Sequence, residues 1–207
     1  MKNYLIFLFC IQVLVGQAQS IKVFKRGADH PAAAANSDEP QGDAYLLEDW
    51  SKGTINSETG TFDSLLLRYN IVSDIVDYQR GTYTLSFNQG ALNAFELETE
   101  QGTRVFKYMK IDQVKKKSRV GFYEVISLGS DNPSLYIKHK KVLHDADIGA
   151  YKIQEQPEYY YEATLYILED GELMKSRLTK KLCDNNLGKS KDEVEARLQK
   201  FGISLSN

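Results

Sequence analysis

The 207-residue sequence predicts a mainly β fold, α+β overall: an antiparallel sheet, sandwich or partly open barrel ending in a C-terminal α-helical hairpin. Three observations predict it. From Trp50 the chain runs in short segments ("TYTLSF", "AFELE", "RVFKYMKI", "GFYEVISL", "SLYIKHKKV", "EATLYILE") rich in the aromatic and β-branched residues that suit a pleated surface. Turn clusters such as Asn88-Gln89-Gly90, Glu100-Gln101-Gly102 and Asp131-Asn132-Pro133 separate them, with no amphipathic helix between. Near the end of the chain the apolar spacing changes to that of a helix.

Residues 1–18 read as a signal peptide. Lys2 precedes an apolar run from Tyr4 to Val15, and Gly16-Gln17-Ala18 places small residues where a signal peptidase reads them. Cleavage is expected between Ala18 and Gln19, giving a secreted or periplasmic protein. The run is about twelve residues, short of the roughly 17–25 that span a bilayer. Nothing later is long and apolar enough, so no membrane span is expected after cleavage. Cys10 follows the bulky Phe9 inside this run and reads as one more hydrophobe, not a lipidation site. Cys183 is then the only cysteine left, and a hydrophobic core, not a disulfide, must hold the fold.

Residues 19–43 are expected to form a flexible leader, because "RGADHPAAAANSDEPQGD" holds no large apolar side chain to offset the cost of ordering. A single β-rich domain, 44–207, should follow. In "WSKGTINSETGTFDSLLLRYN", Ser57–Gly60 reads as a hairpin loop. Alternation sets Leu65, Leu67 and Tyr69 on one face of the returning strand, and Phe62, Ser64, Leu66 and Arg68 on the other. Trp50 reads as a buried anchor. In "EATLYILEDGELMKS", Asp170-Gly171 marks a second, two-residue hairpin turn.

Two short helices are expected, at about 178–187 and 191–201. Leu178, Leu182 and Leu187 mark the first, which should pack Cys183 and stop at Gly188. Ser190 and Glu193 form a capping box for the second, Val194, Leu198 and Phe201 make its apolar stripe, and Gly202 closes it.

"LLEDWSKGTINSETGTFDSLLLRYN", "AFELETEQGTRVFKYMKI" and the closing "YILEDGELMKS" resemble a pattern in small secreted or periplasmic β-rich proteins of Bacteroidetes-type Gram-negative bacteria. The resemblance runs from about Tyr45 onward. It implies a β-rich fold and an envelope or extracellular address, and carries no activity, ligand or catalytic residue.

The formal charge of −2 gives no electrostatic basis for nucleic-acid binding. No nucleophile elbow, zinc-protease helix, phosphate loop or dinucleotide fingerprint occurs, so no catalytic residue and no cofactor is assigned. In "HKKVLHDADIG", His139 and His144 project from opposite faces of a strand, and the acids that follow do not fit a calcium loop. No metal site is assigned, and the stretch reads as an exposed strand entering a polar loop. Lys115–Arg119 and Lys138–Lys141 read as solvated charge. The binding candidates are Tyr159, Tyr160 and Tyr161, with Tyr159 and Tyr161 on one face and Tyr160 on the other. The expected function is a non-catalytic binding or envelope-associated structural module whose partner is an envelope protein or glycan. The alternative is a hydrolase of envelope or extracellular polymers.

Overall fold

The computed structural model describes residues 23–25, 42–87, 90–111, 119–128, 135–144, 157–169 and 171–205. The signal expected at 1–18 lies outside them, as does most of the leader expected at 19–43. Within that leader stretch, Val23–Lys25 forms strand β1. The other strands are β2 (Ser51–Ser57), β3 (Gly60–Asn70), β4 (Ile75–Arg80), β5 (Tyr83–Phe87), β6 (Ala94–Thr99), β7 (Gly102–Ile111), β8 (Arg119–Ile126), β9 (Leu135–His144), β10 (Glu158–Glu169) and β11 (Glu172–Lys175). They form one open antiparallel sheet in the order β1-β5-β4-β3-β2-β6-β7-β8-β9-β10-β11. Of the architectures left open by the sequence, the chain takes the single sheet.

Hairpins generate this order. A meander from β2 to β5 grows in one direction, then β6 returns to the free side of β2 and a second meander, β6 to β11, grows in the other. The seam between them pairs Gly53–Asn56 with Ala94–Leu97. A Cβ on Gly53 would stand 2.1 Å from the Glu96 carbonyl oxygen, so the close approach at the seam requires glycine.

Both expected hairpins form, with Ser57 opposite Gly60 and Glu169 opposite Glu172. Asp170 itself lies outside the described residues. One face assignment is corrected. The β2–β3 register shifts between Gly53 and Ile55, and Ser64, at φ 58°, sits in the resulting bulge. The extra residue brings Phe62 opposite Ile55 and onto the face of Leu65 and Leu67, away from Leu66.

The sheet curls strongly. β3 and β8 are four strand spacings apart in the sheet, about 19 Å if it were flat, yet the Tyr69 and Phe122 rings lie 5.9 Å apart. Tyr69 also meets Phe95 at 5.2 Å and Phe106 at 5.4 Å, and Phe95 stacks on Phe106 at 4.5 Å. This aromatic knot draws the concave face together.

The curl is fastened by side chains. The β8–β9 ladder covers only Glu124–Ile126 against Leu135–Ile137. Beyond it Asp74, from the β3–β4 turn, accepts from Lys138 Nζ at 2.8 Å, from the Phe122 amide at 3.4 Å and from the Tyr69 hydroxyl. Gly121 makes room for it, since a Cβ there would fall 2.0 Å from Asp74 Oδ2. Farther along β9, Lys141 Nζ donates to the carbonyl oxygens of Asp43 and Tyr45 at 2.8 and 2.7 Å.

The C-terminal helical element forms with a different first half. α1 covers only Lys180–Leu182, because Thr179 caps it by accepting from the Leu182 amide, and Cys183–Leu187 continues as one π turn that ends at Gly188. Leu178 therefore precedes the helix. α2 (Lys191–Lys200) carries the full Ser190–Glu193 capping box and buries Val194 and Leu198. No described helix is long and apolar enough to cross a membrane.

Candidate functional site

Cross-strand register builds the most unusual feature of the concave face. Phe106 lies opposite Glu124, Glu124 opposite Ile137, and His139 opposite Ala163. Directly paired residues share a face, and so do residues two apart along a strand. Arg104, Glu124, His139 and Tyr161 therefore line up on one face, diagonally across β7, β8, β9 and β10. On one side of this diagonal lies an apolar cluster that includes Leu67, Tyr69, Phe95, Phe106 and Phe122. On the other, Ile126, Ile137, Ala163 and Leu165 pack against Leu182, Cys183, Val194 and Leu198. A buried polar seam thus divides two cores on one sheet face.

Each link of the seam is short. Arg104 grips Glu124 with two parallel hydrogen bonds, Nε to Oε1 at 2.8 Å and Nη2 to Oε2 at 2.7 Å. His139 Nε2 lies 2.6 Å from Glu124 Oε2, and His139 Nδ1 lies 2.6 Å from the Tyr161 hydroxyl. Arg104 is 6 % exposed, Glu124 0 % and His139 1 %, whereas Tyr161 is 36 % exposed. Phe201, at the end of α2, lies beside the Arg104 guanidinium, with its ring centre 6.0 Å away. The network therefore starts in the interior and reaches solvent at a tyrosine.

Electrostatics decide where its protons sit. Burial pushes the Glu124 carboxyl up, but the hydrogen bonds from Arg104 and His139 outweigh it and hold the group below its ordinary value. Burial holds His139 below its ordinary value, against the opposing pull of Glu124. The imidazole is thus neutral. An ionised carboxylate can only accept, so Nε2 carries the proton and Nδ1 accepts from Tyr161. Burial also keeps the Tyr161 hydroxyl protonated well above its usual range. Burial thus moves Tyr161 away from the lowered pKa that a nucleophilic tyrosine needs.

The same shifts fix a pH dependence of stability. His139 and Glu124 sit below their unfolded values of 6.5 and 4.5, so their contributions are intact at neutral pH. The His139 contribution is lost as pH falls below 6.5, and that of Glu124 as it falls below 4.5. Tyr161 and Tyr69 sit above 10.0, so theirs persist below that pH and are lost as it rises further. Urea midpoints measured across pH should form a plateau that falls on both sides. Stability rising steadily from pH 6.5 to 4.5 would contradict these assignments.

The structure places the three sequence-derived tyrosines on β10. Tyr161 pairs with Lys141 and Tyr159 with Leu143, so both rings share the face of His139. Tyr160 pairs with Val142 on the opposite face and is 50 % exposed. Tyr159 is half-buried, and Leu143 beside it is exposed. The hydrogen bond sets the rings of Tyr161 and His139 nearly end to end, with centres 5.8 Å apart and planes 26° apart.

Several sequence readings are corrected here. His139 is buried, not part of an exposed strand, because its side chain takes the inner phase of β9. Lys138 and Lys141 pair with Asp74 and Asp43, so only Lys140 of that group is solvated charge. Lys115–Ser118 and Asp145–Asp147 lie outside the described residues. Trp50 is half-buried and belongs to neither core; Arg68 stacks at 3.7 Å from the Tyr45 ring and 5.8 Å from the Trp50 ring. Cys183 packs in the core, with burial raising its thiol pKa.

The buried carboxylates are committed to protein donors: Asp77 accepts from Tyr45 and Ser86, and Glu124 from Arg104 and His139. No group of three or more metal-ligating side chains converges among the described residues. The chain matches no known protein family, no curated protein and no solved structure.

Proposed function

We propose that this protein is an exported, non-catalytic binding module that holds a glycan or protein of the cell envelope against the aromatic end of the β9–β10 hairpin. The observation that carries this reading is the clamping of Tyr161. Its hydroxyl is tied to a buried His–Glu–Arg chain, which holds the ring nearly end to end with the imidazole, yet the residue remains 36 % exposed. A ring already immobilised loses little entropy when a ligand stacks on it, which is how rigid aromatic residues gain affinity. Tyr159 and Leu143 extend the same surface. The export part rests on the N-terminal apolar run and on the resemblance to secreted β-rich proteins of Bacteroidetes-type bacteria.

The hydrolase alternative is weaker, because the buried carboxylates are occupied and burial moves Tyr161 away from the pKa of a nucleophile. Titration with peptidoglycan and polysaccharide fragments, followed by tyrosine-ring NMR, separates the two. Binding predicts saturable shifts at Tyr159 and Tyr161 with no cleavage, and Tyr159→Ala should weaken binding by about 1–2 kcal/mol. Cleavage of the fragments, or shifts unaffected by Tyr159→Ala, would contradict the proposal.

A further inference from the structure

A second site lies away from the tyrosines, and its origin is the way β10 changes partners. β11 follows β10 from Glu169 back to Tyr166, and the Ser176 amide still donates to the Leu165 carbonyl. The chain then leaves the sheet toward Thr179. The partner position is taken up again by the C-terminal tail, where Leu205 bridges Ala163 in parallel. Between the departing connection and the arriving tail, roofed by α2, opens a cleft of about 500 Å³. That lies within the roughly 300–1,000 Å³ of small-molecule sites.

The cleft has two chemistries. Leu165, Leu198 and Ile203 line it and are buried, and Leu178 and Leu205 line it and pack against the same core. The apolar wall is thus the outer surface of the second core. The charged lining consists of Lys175, Arg177, Lys191 and Glu195. Lys191 and Glu195 neutralise each other across 3.2 Å. Arg177 is exposed and has no acidic partner among the described residues, whereas Lys175 stands opposite Tyr166 and so projects from the other face of the sheet. An apolar wall beside one unmatched cation selects a molecule with an acid at one end and hydrocarbon at the other.

We propose that this cleft binds a single anionic amphiphile, its acid head at Arg177 and its chain along Leu165, Leu178 and Leu198. The inference goes beyond the aromatic surface and does not depend on it. The test is calorimetric titration of the full chain with decanoate below its micellar concentration, with decylamine as the cation of similar shape. Saturable binding of one decanoate per chain is expected, with none of decylamine. Charge reversal at Arg177→Glu should weaken decanoate by about tenfold. Arg177 is exposed, so the unfolding midpoint should stay the same and separate lost affinity from lost fold. Equal binding of decylamine, no saturable binding, or decanoate affinity unchanged by the charge reversal would overturn the proposal. So would binding to anionic vesicles without binding to monomeric decanoate.

Discussion

Glu124→Ala is expected to destabilise the protein by about 3–5 kcal/mol, the largest effect of any single polar substitution here. The loss comes less from the missing ion pair than from what is left behind. Arg104 would remain in the interior without a counter-charge, and His139 would lose the acceptor for its Nε2 proton. Putting apolar side chains at both ends of the pair, Arg104→Met with Glu124→Leu, removes the stranded charge and should recover much of the loss. Urea unfolding of the wild type, both single variants and the double variant closes this cycle. If the double variant were as unstable as the sum of the singles, the seam would not act as a coupled unit.

Phe95→Ala is expected to cost a similar amount, about 3–5 kcal/mol, for a different reason. Phe95 is 1 % exposed and contacts Phe106 at 4.5 Å, Phe122 at 5.0 Å and Tyr69 at 5.2 Å. It also sits opposite Ile55 at the seam that joins the two meanders. Its removal should open a cavity and loosen the join. Hydrogen exchange offers a specific check: amides of the β2–β6 pairing should lose more protection than those of the β9–β10 hairpin. Uniform loss of protection would argue against a seam between two meanders. Phe95→Leu, which keeps most of the volume, should cost less.

What the sequence revealed was what lies close together in the chain. The Glu169–Glu172 hairpin and the Ser190–Glu193 capping box each depend on a few consecutive residues, and both are found as expected. The curl was not legible, because it depends on contacts between β3 and β8 that no local pattern encodes. A single bulged residue at Ser64 was enough to exchange the faces of everything before it on β3. For the polar diagonal a signal was present. Glu124 stands in phase with Phe122 and Ile126, and His139 in phase with Leu135 and Ile137, so each interrupts an apolar face. Such an interruption marks a charge that needs an interior partner. Finding that partner required the register of four strands, which spacing within one strand does not contain. The lysines of β9 misled for the same reason: their partners, Asp43 and Asp74, lie far away in sequence.

The protonation of His139 tests the buried seam most directly. Two-dimensional ¹⁵N–¹H NMR of the imidazole reports which nitrogen carries the proton and at what pH the ring charges. A neutral ring is expected, protonated at Nε2 and accepting at Nδ1, that charges only below pH 6.5. A freely titrating ring with its midpoint at 6.5, or a proton on Nδ1 at neutral pH, would contradict it.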